Sequence, residues 1–439
     1  MFCLEKLFSH RCNIANTIKL RQYLPFSTAI RYTMINNDNI IDRNRIMVKV
    51  GIIDADLLGR KKHRFPNLVC EKISGYWKSK GAEVQLLLNY DFGDEYDHVY
   101  ISKVFTDTWV PEGLIENEKV HIGGTGFYFD KAPNLPYEIE HQMPDYHLYD
   151  DWISAEIEKA KAIAQSNGKE FRESAFMVQF KEYTDYSIGF LTRGCFRKCK
   201  FCVNQKYDHV FSHSPLSEFF DKERKKICLL DDNFLGCPQW KEMLEELIAT
   251  NRPFKFKQGL DERLLTDEKC KYIFAANYDG DFTFAFDNVS DYDLIQSKLK
   301  MIRKYTKVKI IKFYVLVGFE STDSVDIENT FKRIELLMRY QCLPYIMRYQ
   351  NKNDTPWKNS KWRGLYVSLA RWCNQPSIFK KMSFREFCEA NQALHKTENS
   401  LCSAMRAMTM FESEHPSIAQ KYFDQRYDDY NLESVITAE

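Results

Sequence analysis

Short apolar runs alternate with amphipathic helical segments along most of this sequence, and this alternation restricts the fold more than any other feature. Strands separated by helices pair in parallel, because the return connection between parallel strands needs a crossover of roughly a dozen residues or more. Hydrophobic residues make up 44% of the 439-residue chain, which is typical of a folded α/β protein. The predicted strands are 48–53, 84–88, 99–104, 120–122, 187–191, 227–230, 254–257, 282–286, 309–317 and 344–348.

The first four predicted strands form one unit, which we place with its following linker at residues 47–150. A helical pattern over 67–80 ends at Gly81, and glycine commonly ends a helix because it tolerates a positive φ. The fourth strand runs into a glycine-rich turn at 123–126. Short strands separated by helices predict a small, doubly wound, Rossmann-like domain.

Six further strands follow a lead-in helix, and helical patterns separate them. The predicted helices are 152–165, 216–223, 241–250, 266–276, 292–305 and 326–340. Six strands with their helices fit a partial (β/α)6 barrel of the TIM type, whose functional site lies at the carboxyl ends of the strands. We therefore expect the barrel with its lead-in helix at 151–350 and a helical C-terminal region at 351–439.

Residues 1–46 precede the first strand pattern and are rich in basic side chains. Against the single acid Glu5, the first 35 residues carry Lys6, Arg11, Lys19, Arg21 and Arg31. A basic, acid-poor N-terminus has the composition of an organelle transit peptide, and the alternative, which we favour, is a flexible extension. We therefore expect a cytoplasmic protein, or an organelle protein if the extension is a transit peptide.

Charge and cysteine content exclude several classes of protein. Lysine and arginine total 62 and aspartate and glutamate total 61, so the net charge of +1 creates no field that attracts nucleic acid or anionic membrane. No apolar run approaches the roughly 18 residues of a membrane span. Thirteen cysteines are an odd number and too few for a disulfide framework, so the thiols are available for metal or redox chemistry.

The most specific motif is a triplet of cysteines just after the first strand of the second unit. Cys195, Cys199 and Cys202 are separated by three and by two residues. Three thiolates in a short loop can bind three irons of a cubane cluster and leave the fourth iron open. Two alternatives stay open: a zinc site, which usually needs two Cys-x-x-Cys pairs, or three ordinary thiols. Basic neighbours would favour thiolates, and they are Arg193, Arg197, Lys198 and Lys200.

The triplet, with Phe201 directly before its last cysteine, resembles the signature of the radical S-adenosylmethionine (radical SAM) enzymes. The resemblance covers residues 186–350. It implies that Cys195, Cys199 and Cys202 hold a 4Fe-4S cluster whose open iron takes the amino and carboxylate groups of S-adenosylmethionine. The cluster then delivers an electron, and S-adenosylmethionine splits into methionine and a 5′-deoxyadenosyl radical. A one-electron donor of the flavodoxin or ferredoxin type is the implied partner, and the substrate is unknown.

The same resemblance assigns roles to Phe201 and to the end of the second barrel strand. Phe201 would help to seat S-adenosylmethionine beside the cysteines. Asp231, Asp232 and Asn233 end the second strand, where the family presents polar groups to the ammonium of the cofactor. Carboxylate and amide oxygens are suitable acceptors for a cation. The alternative for each residue is capping of the following helical turn.

The other barrel strands also end in residues with implied roles. Gln258 and Asp287 follow the third and fourth strands, where contacts to the ribose and the substrate are expected. Gly318 ends the fifth strand and is similar to the glycine along which the family lays the adenine, because glycine lets a flat ring approach the backbone. Arg348, on the sixth strand, would meet the cofactor carboxylate or a substrate anion. Ordinary turn residues and a surface ion pair are the alternatives.

The lead-in sequence 188–194 is similar to the subgroup of radical SAM enzymes whose barrel follows a cobalamin-binding-type domain. That domain carries Asp-x-His-x-x-Gly after its first strand, and the histidine is the lower cobalt ligand. This chain has Asp54, Asp56 and Gly59 in that frame, so a carboxylate replaces the imidazole. A carboxylate is a poor substitute for imidazole on cobalt. Cobalamin held without a protein ligand stays possible, but we favour a structural or substrate-binding role for this domain.

Three functional hypotheses follow. The first is a radical SAM enzyme that uses a 4Fe-4S cluster and S-adenosylmethionine on an unidentified substrate. The second is a cobalamin-dependent radical SAM methyltransferase, which a bound corrinoid would support. The third is a non-catalytic iron–sulfur or zinc scaffold protein, which would not cleave S-adenosylmethionine.

Overall fold

The structure is a computed structural model that describes residues 47–60, 65–350, 355–397 and 399–437. The predicted extension at 1–46 lies outside the described residues. Parallel sheets alternate with helices in the described ranges, so the α/β class is confirmed. No helix in these ranges is both long enough and apolar enough to cross a membrane.

Four strands form the first sheet: β1 (Lys49–Asp54), β2 (Glu83–Leu86), β3 (His98–Ser102) and β4 (Val120–Gly123). All pairs are parallel and the order is β2-β1-β3-β4. Gly51, at the centre of β1, lies opposite Gln85 on one side and Val99 on the other. The chain thus passes from one side of β1 to the other after β2. Sheets with this reversal commonly place a ligand crevice outside the carboxyl ends of their strands.

Helices in this unit are α1 (Ala55–Gly59), α2 (Leu68–Ser79), α3 (Glu112–Ile115), α4 (Thr125–Tyr128) and α5 (Tyr137–Glu140). The helix α2 begins at Asn67, whose side-chain oxygen accepts hydrogen bonds from the backbone N–H groups of Val69 and Cys70. It ends just before Gly81, which has a φ of +81°. Both ends of this helix therefore follow the sequence signals that predicted it.

Eight strands follow: β5 (Tyr186–Gly189), β6 (Thr192–Arg193), β7 (Phe211–Ser212), β8 (Lys226–Leu229), β9 (Phe254–Phe256), β10 (Phe282–Ala285), β11 (Ile311–Val317) and β12 (Leu343–Arg348). The strands β5, β8 and β9 form one parallel sheet, and β10, β11 and β12 form another. The short strands β6 and β7 form an antiparallel pair. The two parallel sheets meet where the N–H of Leu260 donates to the carbonyl of Thr283 over 2.9 Å.

Helices before and between these strands are α6 (Asp150–Ser166), α7 (Glu173–Met177), α8 (Lys181–Thr184), α9 (Trp240–Ala249), α10 (Asp267–Ala275), α11 (Tyr292–Tyr305) and α12 (Ser324–Arg339). The lead-in helix α6 packs on the first sheet, because Trp152 and Ile153 share a buried cluster with Val50 of β1. Phe180 and Tyr183 join the same cluster. The domain boundary at 150/151 stays a prediction.

One connection differs from the sequence prediction. The helix expected over 216–223 is only a single 3-10 turn, Leu216–Glu218. The carbonyl of Phe219 instead accepts a hydrogen bond from the hydroxyl of Tyr146 over 2.7 Å, so a tertiary contact replaces the helical bond. The strands β2 and β3 are joined over 87–97 by a loop without a helix. Turn-forming residues explain this loop, and they are Asn89, Asp91 and Gly93.

Helices of the C-terminal region are α13 (Pro356–Asn359), α14 (Arg363–Cys373), α15 (Pro376–Phe379), α16 (Phe384–Ala393), α17 (Ser403–Glu414), α18 (Pro416–Tyr422) and α19 (Leu432–Thr437). They share one hydrophobic core with five of the six parallel strands, β8 to β12, since Leu365 and Trp372 cluster with Val315 of β11. Asn374 covers the backbone edge of β12: its side-chain oxygen accepts from the N–H of Ile346 over 2.7 Å, and its amide donates to the carbonyl of Ile346 over 3.1 Å. The C-terminal region thus completes the packing of β12.

Candidate functional site

The cysteine loop, residues 194–205, directly follows β6. Gly194 begins it with a φ of +86°, and a Cβ atom at this position would overlap the carbonyl oxygen of His209. Only glycine fits both constraints. The side-chain amide of Gln205 closes the loop by donating to the carbonyls of Cys199 and Cys202 over 2.9 and 3.0 Å. The three cysteines of the loop are all half-buried.

Three N–H groups donate hydrogen bonds to cysteine sulfurs. The backbone N–H of Arg197 donates to Sγ of Cys195 over 3.4 Å, and the backbone N–H of Asn204 donates to Sγ of Cys202 over 3.3 Å. The side-chain amide of Asn233, which follows β8, reaches Sγ of Cys195 from outside the loop over 3.4 Å. Such donors stabilise the negative charge of a thiolate and of a cluster bound through it.

The thiols lie within electrostatic range of one another. Burial raises the pKa of Cys202 to about 12, and Cys199 and Cys195 add to the increase. Burial also raises the pKa of Cys199, and the guanidinium of Arg263 opposes part of that shift. A metal cluster binds thiolates, so its binding would displace these protons.

Asp231 and Asp232 fasten the cysteine loop to the end of β8. The buried carboxylate of Asp231 accepts from the N–H of Leu191 over 3.3 Å, and from the N–H and the hydroxyl of Thr192 over 2.7 and 2.6 Å. Burial raises the pKa of Asp231 to about 6. Asp232 accepts from the N–H of Gly194 over 3.1 Å. Both carboxylates therefore have partners within the protein, and their contact with a cofactor stays a prediction.

Asp261, after β9, connects the loop to the third strand of its sheet. Its carboxylate accepts from the guanidinium of Arg197 over 2.8 Å and from that of Arg263 over 2.7 Å. Burial raises the pKa of Asp261, but the two arginines outweigh burial and hold the pKa below its ordinary value. The sequence analysis did not identify Arg263 as a site residue. Its position just after a strand end with a glycine turn, Gly259, was the available signal.

Asn233 contains an acceptor that the protein does not satisfy. Its side chain is 3% exposed, and its Oδ1 atom has no hydrogen-bond partner in the part of the chain that the structure describes. The amide N–H of the same side chain donates to Sγ of Cys195 and, over 3.5 Å, to the carboxylate of Asp261. A buried acceptor without a donor costs about 1–3 kcal/mol. This oxygen therefore suits a donor supplied by a bound molecule.

Gln258 and Asp287 have different surroundings. The side chain of Gln258 is exposed. Asp287 is half-buried, and burial raises its pKa to about 6 against the opposing charge of Arg333. Asp287 is also among the charges that raise the pKa of Cys199, so it lies on the Cys199 side of the site. The fold thus brings Asp287 near the cysteine loop and leaves Gln258 at the surface.

An aromatic wall, defined as Phe201, Phe319, Tyr349 and Trp357, joins the cysteine loop to the ends of β11 and β12. The ring of Phe201 meets that of Phe319 edge to face with 5.5 Å between centroids, and Phe319 lies 4.7 Å from Tyr349. The indole N–H of Trp357 donates to the carbonyl of Tyr349 over 2.8 Å. The sequence analysis did not identify Trp357, which lies in the C-terminal region. Its contact with the strand ends depends on tertiary packing between residues distant in sequence.

Gly318 and Arg348 both contact Trp357. Gly318 has a φ of +70°, and a Cβ atom there would lie 2.8 Å from Cβ of Trp357. Glycine is required by this contact, and its predicted role beside adenine stays a prediction. The guanidinium carbon of Arg348 lies 4.6 Å from the centroid of the indole ring. Because Arg348 pairs with Val317 in the sheet register, it lies at the same edge as Gly318.

No three His, Cys, Asp or Glu side chains of the described ranges are close enough together to bind a single metal ion. The ligands of zinc must converge on one ion, at about 2.0–2.3 Å each. A cubane binds each cysteine through a different iron, so its protein ligands do not converge on one point. Three half-buried thiols in one loop, two of them with N–H donors to sulfur, therefore offer the ligand set of a three-cysteine cluster.

In the first sheet, Asp56 stands at the sequence position of the cobalamin-ligand histidine and binds groups of the protein itself. Its carboxylate is buried and accepts hydrogen bonds from the N–H of Val104, over 2.6 Å, and from the hydroxyl of Thr108. Asp54, at the end of β1, accepts from the hydroxyl of Tyr149 over 2.9 Å. Each carboxylate of the Asp-x-Asp frame is thus occupied by a group of the protein.

The segment 103–108 also covers the glycine turn of this sheet. A Cβ atom on Gly124 would overlap the carbonyl oxygen of Lys103, and one on Gly126 would lie 2.5 Å from the Lys103 side chain. A Cβ atom on Gly59 would lie 2.9 Å from Thr108. The chain itself therefore fills the space beside these glycines. The residues present do not fit a corrinoid at this edge of the sheet.

The first unit contacts the base of the cysteine loop instead. The carboxylate of Glu140, in α5, forms ion pairs with Lys72 of α2 over 3.0 Å and with Arg193 over 3.2 Å. The two cations hold the pKa of Glu140 below its ordinary value, although burial opposes them. Arg193 directly precedes Gly194, so this half-buried carboxylate links the first unit to the start of the loop.

Comparison with known proteins gives little further information. No protein-family model matches this chain, and no curated protein matches it. Among solved structures, the chain is similar to the apo, selenomethionine-labelled cobalamin-dependent S-adenosylmethionine radical enzyme OxsB, with 11% identity and a TM-score of 0.37. The match covers 84% of this chain and 61% of that one, so the chain spans about three fifths of that enzyme's length. At this TM-score we draw no functional conclusion from the likeness.

Proposed function

We propose that this chain is a radical SAM enzyme in which Cys195, Cys199 and Cys202 hold a 4Fe-4S cluster. One observation carries the proposal: the three thiols of the signature lie in one half-buried loop, and N–H groups donate to two of the sulfurs. A zinc scaffold is less well supported, because the described side chains do not converge on one ion. A cobalamin-dependent methyltransferase is also less well supported, because segment 103–108 fills the glycine turn.

The proposed architecture is a six-stranded partial barrel made of the two three-stranded sheets. The strands follow one another in chain order, and the Leu260–Thr283 hydrogen bond connects the two sheets. The cysteine loop, the Asp231–Asn233 end, Asp287 and Arg348 all follow or end strands of this set. The carboxyl ends of the strands would therefore form a single mouth.

In this mechanism the protein holds and orients its cofactors. The bound cluster would supply one electron to S-adenosylmethionine. The unsatisfied Oδ1 of Asn233 would accept a hydrogen bond from the amino group of that cofactor, next to Cys195. Phe201 would shield the site from water on the side of the aromatic wall. Exposed lysines of the loop, Lys198 and Lys200, would attract an acidic one-electron donor.

The test compares wild type with Cys199→Ala after anaerobic reconstitution with iron and sulfide. We expect reduced wild type to convert S-adenosylmethionine into 5′-deoxyadenosine in proportion to enzyme, and the variant to lose at least 100-fold of this activity. Cys237→Ala is the matched control, because Cys237 is buried outside the loop beside Gln239. Equal product from wild type and Cys199→Ala would reject the proposal, and iron binding without any product would favour the non-catalytic scaffold.

A further inference from the structure

Arg348 differs from two arginines that are buried against the same strands, Arg303 of α11 and Arg333 of α12. Arg303 donates to the carbonyls of Tyr340 and Gln341 over 2.9 and 2.7 Å. Arg333 donates to three carbonyls at the ends of β10 and β11, over 2.8 to 2.9 Å. The half-buried guanidinium of Arg348 has neither a hydrogen bond nor an ion pair with any residue that the structure describes. Its donors are therefore unused by the described residues.

The support beneath this guanidinium is well fixed. Trp357, 4.6 Å below it, is buried, held by the carbonyl of Tyr349 and packed on Gly318. A second cation, the ammonium of Lys358, lies 5.9 Å from the same indole ring. A cation placed over a ring face keeps donors available for a further partner. Two positive charges beside one indole favour a ligand of negative charge.

Arg348 also lies at the edge where the cysteine loop contacts the strand ends. The residue that follows it, Tyr349, contacts Phe319, and Phe319 contacts Phe201 of the loop. A chain of ring contacts therefore connects the residue next to Arg348 with the cysteine loop. In the proposed function the carboxylate of S-adenosylmethionine would be bound at the cluster that Cys195, Cys199 and Cys202 hold.

We propose that Arg348 anchors an anionic group of the substrate, a carboxylate or a phosphate, with Trp357 as its platform. The anion site is inferred from the local geometry alone. That the bound anion belongs to a substrate rests on the proposed function. A guanidinium offers paired donors in one plane, which match the paired oxygens of both kinds of anion. The substrate class is thus an acid or a phosphate ester that reaches the mouth beside the aromatic wall.

The test measures binding of inorganic phosphate and of acetate to the full chain by isothermal titration, against sodium chloride at equal ionic strength. We expect Arg348→Gln to weaken binding of the preferred probe at least fivefold, and Arg348→Lys to recover part of the loss. Arg371→Gln is the matched control, because Arg371 is exposed, donates to Asn391 over 2.8 Å and lies 5.8 Å from the Phe387 ring. The probe that binds more tightly distinguishes a phosphate site from a carboxylate site.

A second arm distinguishes the substrate from S-adenosylmethionine. Saturating S-adenosylmethionine is added to the reconstituted protein, and we expect the affinity for the preferred probe to remain within twofold. Competition between the two would overturn the inference, because Arg348 would then bind the cofactor carboxylate. Equal probe binding by wild type and a folded Arg348→Gln variant, judged by circular dichroism, would also overturn it. Probe binding needs no cluster. If only the proposed function were wrong, binding of the probe would therefore still depend on Arg348.

Discussion

The carboxyl ends of the first sheet and those of the six later parallel strands both carry buried acids and positive-φ glycines, but the later strands also keep polar groups without a partner among the described residues. In the first sheet, Asp56 and Gly124 are covered by segment 103–108 of the chain itself. At the later strands, Asn233 keeps an unsatisfied oxygen and Arg348 keeps unused donors among the described residues. Acids and glycines at strand ends therefore do not reveal whether an edge is filled. The contacts of the neighbouring loops decide it.

We call the carboxyl end of the first sheet the filled edge and the carboxyl ends of the later strands the open edge. The two edges also differ in which parts of the protein their buried acids hold in place. Asp54 and Asp56 hold the first unit together through Tyr149, Val104 and Thr108. Asp231 instead holds the start of the cysteine loop. The first set of contacts stabilises a closed sheet edge, and the second positions residues that stay partly exposed.

The largest effect that we expect comes from Asp231→Ala at the open edge. The substitution leaves three buried donors of Leu191 and Thr192 without their acceptor, at about 1–3 kcal/mol each. We expect the free energy of unfolding to fall by about 3 kcal/mol or more, together with loss of iron loading. Urea unfolding and iron analysis measure the two effects, and Asp208→Ala, at an exposed loop residue, is the control. Unchanged stability would show that the carboxylate does not fasten the loop.

The next effect tests whether segment 103–108 really fills the first edge. Gly124 and Gly81 both have positive φ, +98° and +81°, but only Gly124 lies against another segment, whereas nothing lies within 4 Å of the Cβ position of Gly81. We expect Gly81→Ala to cost about 1–2 kcal/mol for its backbone conformation alone. Gly124→Ala should cost at least about 2 kcal/mol more, because its methyl group would overlap Lys103 and because its ψ of 163° lies in a region essentially confined to glycine. Equal losses in urea unfolding would show that the edge is open.

The smallest effect concerns the pH dependence of the filled edge. Burial raises the pKa of Asp54 from 3.8 to about 7. The folded protein therefore keeps a proton that the unfolded chain releases, so this carboxyl makes the free energy of unfolding fall as pH rises from about 4 to about 7. Asp54→Asn removes this titratable carboxyl. As pH rises over this range, we expect the free energy of unfolding of the variant to increase relative to that of wild type by on the order of 2 kcal/mol.

Urea unfolding at pH 5 and pH 8 measures this change, with the exposed Asp91→Asn as the control. The same pH dependence in wild type and Asp54→Asn would mean that this carboxyl is ionised in the folded protein. The contrast between a closed first edge and an open second edge would then lose one of its supports.

Local signals in the sequence were sufficient for the ten parallel strands and for several helix ends, but not for the short antiparallel pair β6 and β7. The capping residue Asn67 and the stop at Gly81 bound α2 where the pattern predicted it. The helix expected over 216–223 was wrong, because a hydrogen bond from Tyr146, distant in sequence, replaces a helical one. Burial patterns are local, but such a contact depends on how the units pack.

The candidate site divides in the same way. The cysteine triplet was readable because its spacing is local. Arg263 and Trp357 were missed, because their place in the site depends on contacts with Asp261 and Gly318. The filling of the first edge by segment 103–108 was also beyond sequence reasoning, since a glycine turn looks the same with or without a neighbour.

The most direct test of the central claim is electron paramagnetic resonance of the anaerobically reconstituted and reduced wild-type chain, with iron and sulfide analysis of the same sample. We predict the iron and sulfide content of one 4Fe-4S cluster per chain, absent after Cys195→Ala, Cys199→Ala or Cys202→Ala. We also predict that S-adenosylmethionine changes the spectrum, because one iron has no protein ligand. Zinc in place of iron, or a cluster spectrum that S-adenosylmethionine does not alter, would contradict the account.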